Sequence, residues 1–260
     1  MKQVSRIVGV FLLFLMVLSM NALAADAKID TSKASDGYFS VFCEGDAGVK
    51  MKVGVTFAGK TEYYTYIPGK TASYAFEKGN GEYTIALYRN ISGTSYKRVA
   101  KAVASVRLKS AAAPYLVSTV EITFADGDAI TRKAAELCKG LSSDAAKVIA
   151  IHNYIAEYFR YDDAFAALVR KGTVKNYLPD TNRSLEKGVG VCYDFSAVFA
   201  AMCRSQGIPC TVEKGYISSG YHAWNRVCHD GKWITVDMTR SVVQRNYQAD
   251  QLAECTAVVK

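Results

Sequence analysis

The chain has 260 residues, 50% apolar and 22% charged, which is enough apolar material for two modest domains with a core in each. Its 32 Lys and Arg against 24 Asp and Glu give a net charge of +8, spread along the chain with no basic patch interleaved with aromatics. Nucleic acid is therefore not an expected partner, and weak attraction to an anionic surface or cell wall is the most that the charge implies.

Lys2 and Arg6 precede an apolar run from Ile7 to Leu18, and Ala22-Leu23-Ala24 supplies small residues before a polar stretch. This is the layout of a cleaved secretory signal over residues 1–24, because about a dozen core apolar residues are short for a membrane span of roughly 20. The expectation is a secreted or cell-surface protein that meets the membrane only during export. Losing Lys2 and Arg6 leaves 236 residues with a charge of +6.

From residue 29 to 109 the period is two. Val49, Met51, Val53, Val55 and Phe57 alternate with small or polar residues, as in a strand with one wet face. Tyr38–Cys43, Tyr63–Ile67, Ala72–Phe76, Tyr83–Tyr88 and Val99–Leu108 continue the pattern, separated by Gly-containing turns. Six or seven short strands predict an immunoglobulin-like β-sandwich over residues 25–110. Its many tyrosines read as half-buried strand residues, with a sugar- or peptide-stacking surface as the sharper alternative.

Ser110-Ala111-Ala112-Ala113-Pro114 is a short joint to a second domain over residues 114–260. Tyr115–Phe124 alternates enough to be a connecting strand. Asp126-Gly127-Asp128 reads as a turn and cap before a helix over Ala129–Lys139, since no further oxygen ligands follow at cation-loop spacing. Ser142-Ser143-Asp144 caps a second helix running to about Phe159, with His152 on its apolar stripe as a core histidine. His229 beside Asp230-Gly231 reads as a turn residue.

Gly188-Val189-Gly190-Val191 is a tight loop, and after Cys192 the apolar residues Phe195, Val198, Phe199, Met202 and Cys203 mark one face of a helix to Ser205. Cys192 thus sits where a loop becomes a helix. Unpaired backbone N–H groups and the helix dipole favour an anion there, which for this residue is the thiolate. Tyr221–Cys228 and Trp233–Asp237 flank Asp230-Gly231, the signature of a two-residue hairpin turn. If paired residue numbers sum to 461, His222 faces Thr239, and Asp237 becomes its diagonal neighbour on the same face, roughly 7 Å away at the backbone. A bulge-free three-residue loop would reverse that parity. One hairpin can therefore supply an imidazole oriented by a carboxylate.

These blocks, with Arg204-Ser205-Gln206-Gly207-Ile208-Pro209, Gly215-Tyr216 and Asp230-Gly231-Lys232-Trp233, resemble the core of the transglutaminase-like superfamily, and more narrowly secreted bacterial members described as candidate cysteine proteases. The resemblance covers about residues 128–240. It implies an α+β fold, with helices packed on an antiparallel sheet in a papain-like core, and a catalytic triad at Cys192, His222 and Asp237. The chain departs from the family pattern at Asn225, usually an aliphatic residue, and at Met238, usually proline. Tyr161 of Tyr161-Asp162 matches a family tyrosine that packs, lines the cleft or donates to a developing oxyanion.

The implied chemistry is acyl transfer from a protein or peptide amide through a thioester on Cys192. Water as acceptor makes a peptidase or amidase, and an amine acceptor makes a cross-linking transglutaminase. A non-catalytic wall- or protein-binding module is the third reading, favoured if Cys192 is blocked, buried or disulfide-bonded. The remaining cysteines, Cys43, Cys138, Cys203, Cys210, Cys228 and Cys255, permit bridges in an exported chain, or serve as small apolar core residues. Spacing does not choose among the pairings. With no paired CxxC, no His/Cys cluster and no calcium loop, no metal or other cofactor is expected.

Overall fold

A computed structural model describes residues 27–245 apart from 175 and 219. The expected signal peptide and Cys255 lie outside the described residues. Contacts divide the described chain into two compact units, one of 27–30, 40–72 and 82–104, the other of Thr31–Phe39, Ser73–Gly81 and 105–245. The fold is α+β, and no helix among the described residues is long and apolar enough to cross a membrane.

Seven strands lie between residues 27 and 106: β1 (Ala27–Asp30), β2 (Tyr38–Cys43), β3 (Met51–Phe57), β4 (Lys60–Tyr66), β5 (Ala72–Ala75), β6 (Gly81–Ser92) and β7 (Ser95–Val106). They form one sheet in the order β1-β2-β5 and another in the order β4-β3-β6-β7. The alternation read in the sequence matches the burial: Phe39, Val41 and Cys43 are covered while Tyr38, Ser40 and Phe42 are partly open. Only β1, too short for a period to show, escaped the reading. The tyrosines divide by role. Tyr66 is buried and fully used, accepting the Cys43 N–H at 2.6 Å and donating towards the Cys43 and Lys70 carbonyls, whereas Tyr63 is exposed.

The second unit is built on helices α1 (Ala129–Cys138), α2 (Asp144–Tyr158), α3 (Asp163–Arg170), α4 (Thr181–Lys187), α5 (Cys192–Ser205) and α6 (Met238–Gln244). A three-stranded antiparallel sheet, β10 (Cys210–Ile217), β11 (Gly220–His229) and β12 (Lys232–Val236), accompanies them, with β11 in the centre. Ile130, Ile151, Ile155, Phe195, Phe199, Val227 and Met238 share one core, in which α5 is buried on nearly every side. Each such side chain contributes about 1.5–3 kcal/mol by leaving water. Met238, where the family pattern has proline, fills this core as the first residue of α6.

His152 is the core histidine that its stripe predicts. Its Nε2 lies 2.9 Å from Ser241 Oγ, tying α2 to α6, and burial pushes its pKa down, so it stays neutral. The expected strand over Tyr115–Phe124 is absent: Ala113–Tyr115 forms a 3-10 turn and the chain then runs irregularly to α1. Its backbone groups find other partners, since the Val117 carbonyl accepts from Arg204 Nη1 at 2.7 Å, the Val120 N–H donates to Ser73, and Thr119 and Ile122 bond each other. A satisfied backbone has no need of a neighbouring strand. Buried Arg204 also donates from Nε to the Cys210 carbonyl at 2.8 Å and ion-pairs with Glu77 at 3.5 Å. The short helices α3 and α4 were not anticipated, although Asp162 and Asp180 cap them by accepting from Phe165 and Arg183 N–H.

Candidate active site

The loop before Cys192 is held on three sides. Gly188 ends α4 in the left-handed conformation with φ 60°, against the Tyr158 ring. Two short strands, β8 (Arg160–Tyr161) and β9 (Val189–Gly190), pair in parallel, with the Arg160 and Asp162 N–H groups donating to the Gly188 and Gly190 carbonyls, each at 2.8 Å. Asp194 then reaches back from the first turn of α5 to accept the Val191 N–H at 2.9 Å.

Asp194 is only 2% exposed, and burial raises its pKa against the opposing hydrogen bonds from Tyr177, the Val191 N–H and Ser184. Its side chain leaves no room beside Gly190, where an added Cβ would meet Asp194 Cβ at 2.7 Å. Gly190→Ala must therefore shift the loop that leads into Cys192. Displacement near 1 Å is expected to reduce turnover on the order of 100-fold, checked by kcat/KM alongside a melting curve that shows the fold retained.

Cys192 opens α5 and is half-buried as a free thiol. The first intrahelical bond runs from the Phe195 N–H to the Val191 carbonyl, so the N–H groups of Cys192, Tyr193 and Asp194 have no acceptor within the helix. The Cys192 N–H is thus available to a developing oxyanion. Tyr161 lies close enough that Cys192, after burial, is a cause of its raised pKa.

The hairpin delivers the other two residues. Asp230 at φ 50° and Gly231 at φ 73° form the two-residue turn, and Asn225 pairs with Val236, which is the 461 register. The Nε2 of His222 stands 3.0 Å from Asp237 Oδ2, and Cys192 lies close enough to be a further cause of the ring's raised pKa. Burial pulls the His222 pKa down, but the hydrogen bond to Asp237 and the neighbouring Asp237 and Cys192 charges prevail and raise it to about 9. The ring is held from behind as well. Trp224 stacks on it with centroids 6.2 Å apart, its Nε1–H donates to Glu213 at 3.2 Å, and its ring fills the place where a Cβ on Gly215 would sit 2.9 Å away.

Asn225 replaces the family's aliphatic residue by a buried clamp. Its Nδ2 donates to the Ser196 carbonyl at 2.9 Å and the Thr211 carbonyl at 2.8 Å, joining α5 to β10. Cys192, His222 and Asp237 are thus brought together, while His229 lies at the end of β11. Tyr177, Ser184 and Glu121 were not anticipated. Asp194 carried a readable signal, as an acid at the third position of a helix.

Cys43, Cys138, Cys203 and Cys210 are buried free thiols, and Cys228 is half-buried and free. Burial raises the Cys203 pKa well above its ordinary value, and the neighbouring Cys210 adds to the rise. Among the described residues, no group of three or more His, Cys, Asp and Glu is arranged to hold a metal ion. A cleft of about 540 Å³ lined by Tyr115, Pro209, Cys228 and Trp233 lies in the same unit, and none of the three site residues lines it.

Residues 131–238 match the model of the transglutaminase-like superfamily. The chain is 28% identical over 134 residues to kyphoscoliosis peptidase of Mus musculus, covering 47% of this chain and 19% of that protein. The Homo sapiens kyphoscoliosis peptidase is 29% identical over 117 residues, covering 40% and 17%. The match thus spans about a fifth of the length of these curated relatives. Among solved structures, a TGase is similar with 28% identity and a TM-score of 0.39, over 46% of this chain and 33% of its own. A candidate cysteine protease of Cytophaga hutchinsonii is similar with 16% identity and a TM-score of 0.43, over 80% and 81%.

Proposed function

We propose, for a chain whose residues 131–238 belong to the transglutaminase-like superfamily, that Cys192, His222 and Asp237 perform acyl transfer from amide bonds and that water resolves the acyl-enzyme, making a peptidase or amidase. The observation that carries this reading is the His222 ring, bonded to Asp237 at 3.0 Å and close enough to the helix-start Cys192 for that thiol to shift its pKa.

The Cys192 thiolate attacks the amide carbonyl carbon, and a C–S bond forms as the carbonyl electrons move onto oxygen, facing the Cys192 N–H. The carbonyl re-forms as the C–N bond breaks, and the imidazolium proton of His222 passes to the leaving nitrogen. Neutral His222 then takes a proton from water, whose oxygen displaces Cys192 as thiolate. Asp237 holds the ring and stabilises its charged form. The word peptidase in the names of the mouse and human relatives supports hydrolysis. The N-terminal layout of Lys2, Arg6 and the Ile7–Leu18 run supports action outside the cell, the substrate is read as protein or peptide, and residues 25–110 are read as an immunoglobulin-like sandwich.

The test is incubation with p-nitrophenyl acetate and with denatured casein, in ¹⁸O-water and with dansylcadaverine as amine. Hydrolysis is expected to give an acetyl mass on Cys192 and ¹⁸O in new casein carboxyls. Dansyl incorporation without ¹⁸O would assign cross-linking instead, and failure of Cys192 to acylate would leave a binding module.

A further inference from the structure

Met51, Val53 and Val55 of β3 are buried, and Lys52, Gly54 and Thr56 alternate with them on the opposite face of the strand. Across the ladder Tyr63 of β4 pairs with Gly54 and Tyr88 of β6 pairs with Lys52, so both tyrosines share that face. The Lys52 ammonium lies 6.0 Å from the centre of the Tyr63 ring and 4.9 Å from that of Tyr96, which adds β7 to the cluster. Tyr63 and Tyr88 meet edge to face with centroids 6.0 Å apart.

Gly54 sets how the rings lie. A Cβ added there would meet Tyr88 Cε2 at 3.0 Å and Tyr63 Cε1 at 3.1 Å, so both rings lie down over the glycine. Gly54 is thereby buried, yet Tyr63 stays 59% exposed. Single exposed aromatics need no explanation. Three tyrosines gathered about one exposed ammonium do.

The sheet is basic. Its four strands carry Lys52, Lys60, Arg89, Lys97, Arg98 and Lys101 against Glu62 and Glu82. Glu62 alternates to the other face, where it accepts from Tyr64 at 3.0 Å. Glu82 stands at the far end of β6, about 20 Å along the strand from Tyr88. Lys52 has no carboxylate partner among the described residues, and its ammonium rests on tyrosine rings alone. An anion is the ligand that this ammonium lacks.

We infer that this face docks an acidic polysaccharide, a glycan chain whose sugar rings carry carboxylates. The C–H faces of its rings stack on Tyr63 and Tyr96, and a carboxylate borne on a sugar ring reaches the Lys52 ammonium that the two tyrosines share. An acidic peptide fits less well. β3 is bonded on both sides and offers no free edge to an added strand, and rings that lie flat over Gly54 make no pocket for a side chain. The face belongs to the first compact unit and Cys192, His222 and Asp237 to the second, so the inference stands independently of acyl transfer.

The test measures binding of the full wild-type chain to alginate, dextran, dextran sulfate and poly-L-glutamate by isothermal titration at about 0.15 M salt. Alginate, a polymer of hexuronic acids, is expected to bind about tenfold more tightly than the other three. Tyr63→Ala with Tyr96→Ala is expected to weaken alginate binding about tenfold, and Lys52→Gln likewise. Lys52→Arg, and Tyr63→Phe with Tyr96→Phe, are expected to retain it, since the charge and the rings make the contact. Melting curves verify the fold of the double alanine variant, and the single exposed Lys52→Gln reads the inference if that variant unfolds. Absence of alginate binding overturns the inference, as does alginate binding indifferent to these substitutions. Dextran sulfate or poly-L-glutamate bound as tightly as alginate also overturns it, assigning charge alone or an acidic peptide, and dextran bound as tightly assigns a neutral glycan instead.

Discussion

Replacing Cys192 by alanine is expected to reduce turnover of any acyl substrate by roughly 10⁴-fold or more, leaving only what positioning and the helix-start N–H groups supply. The thiol is half-buried and lies outside the shared core of α1, α2 and α5. Its loss removes little packing, so the melting temperature should stay within a few degrees of wild type. Serine at the same place is not a substitute, because a hydroxyl is far less acidic than a thiol and His222 would have to remove its proton within the reaction. Steady-state rates on p-nitrophenyl acetate and casein, beside a melting curve, check both parts.

Asp237→Asn is expected to lower turnover by about 10⁴-fold with little change in fold. Asp237 has two duties that this substitution separates. Its Oδ1 caps α6 by accepting the Thr239 and Arg240 N–H groups at 3.1 and 3.3 Å, while Oδ2 faces His222 Nε2. Asparagine retains an oxygen for the cap but turns an NH₂ group towards His222. The ring must then accept at Nε2 and carry its proton on Nδ1, the tautomer that cannot take a proton from Cys192. Asp237→Ala loses the cap as well, for a further cost of about 1 kcal/mol.

The same substitution has a pH signature. The folded pKa of His222, about 9, lies above its ordinary value, so the stabilisation is fully present below about pH 6.5 and is lost as pH rises through about 9. Urea unfolding should therefore separate wild type from Asp237→Asn at pH 6 and bring them together at pH 10. A purely structural role for Asp237 would give the same difference at both.

The hairpin was legible because its geometry is local. A two-residue Asp-Gly turn sets strand parity, parity sets the face, and His222 and Asp237 meet as the numbering required. The helix that opens at Cys192 was legible for the same reason, in the period of Phe195, Val198, Phe199 and Met202 after a glycine loop. What supports the loop was not legible, because Tyr177 and Ser184 reach Asp194 from 17 and 10 residues away through chain that has no period of its own. Tyr115–Phe124 shows the converse. Alternation marked a strand, but with Arg204, Ser73 and local turns taking its polar groups the segment runs irregularly.

The most direct test of an activated Cys192–His222 pair is the rate at which iodoacetamide alkylates Cys192 as a function of pH, in non-reduced protein, compared with His222→Ala. Rapid alkylation at about pH 6, below the range where a free cysteine reacts well, with that advantage lost in His222→Ala, is the expected result. Identical profiles for the two proteins, or a Cys192 that is unreactive or disulfide-bonded, would contradict it.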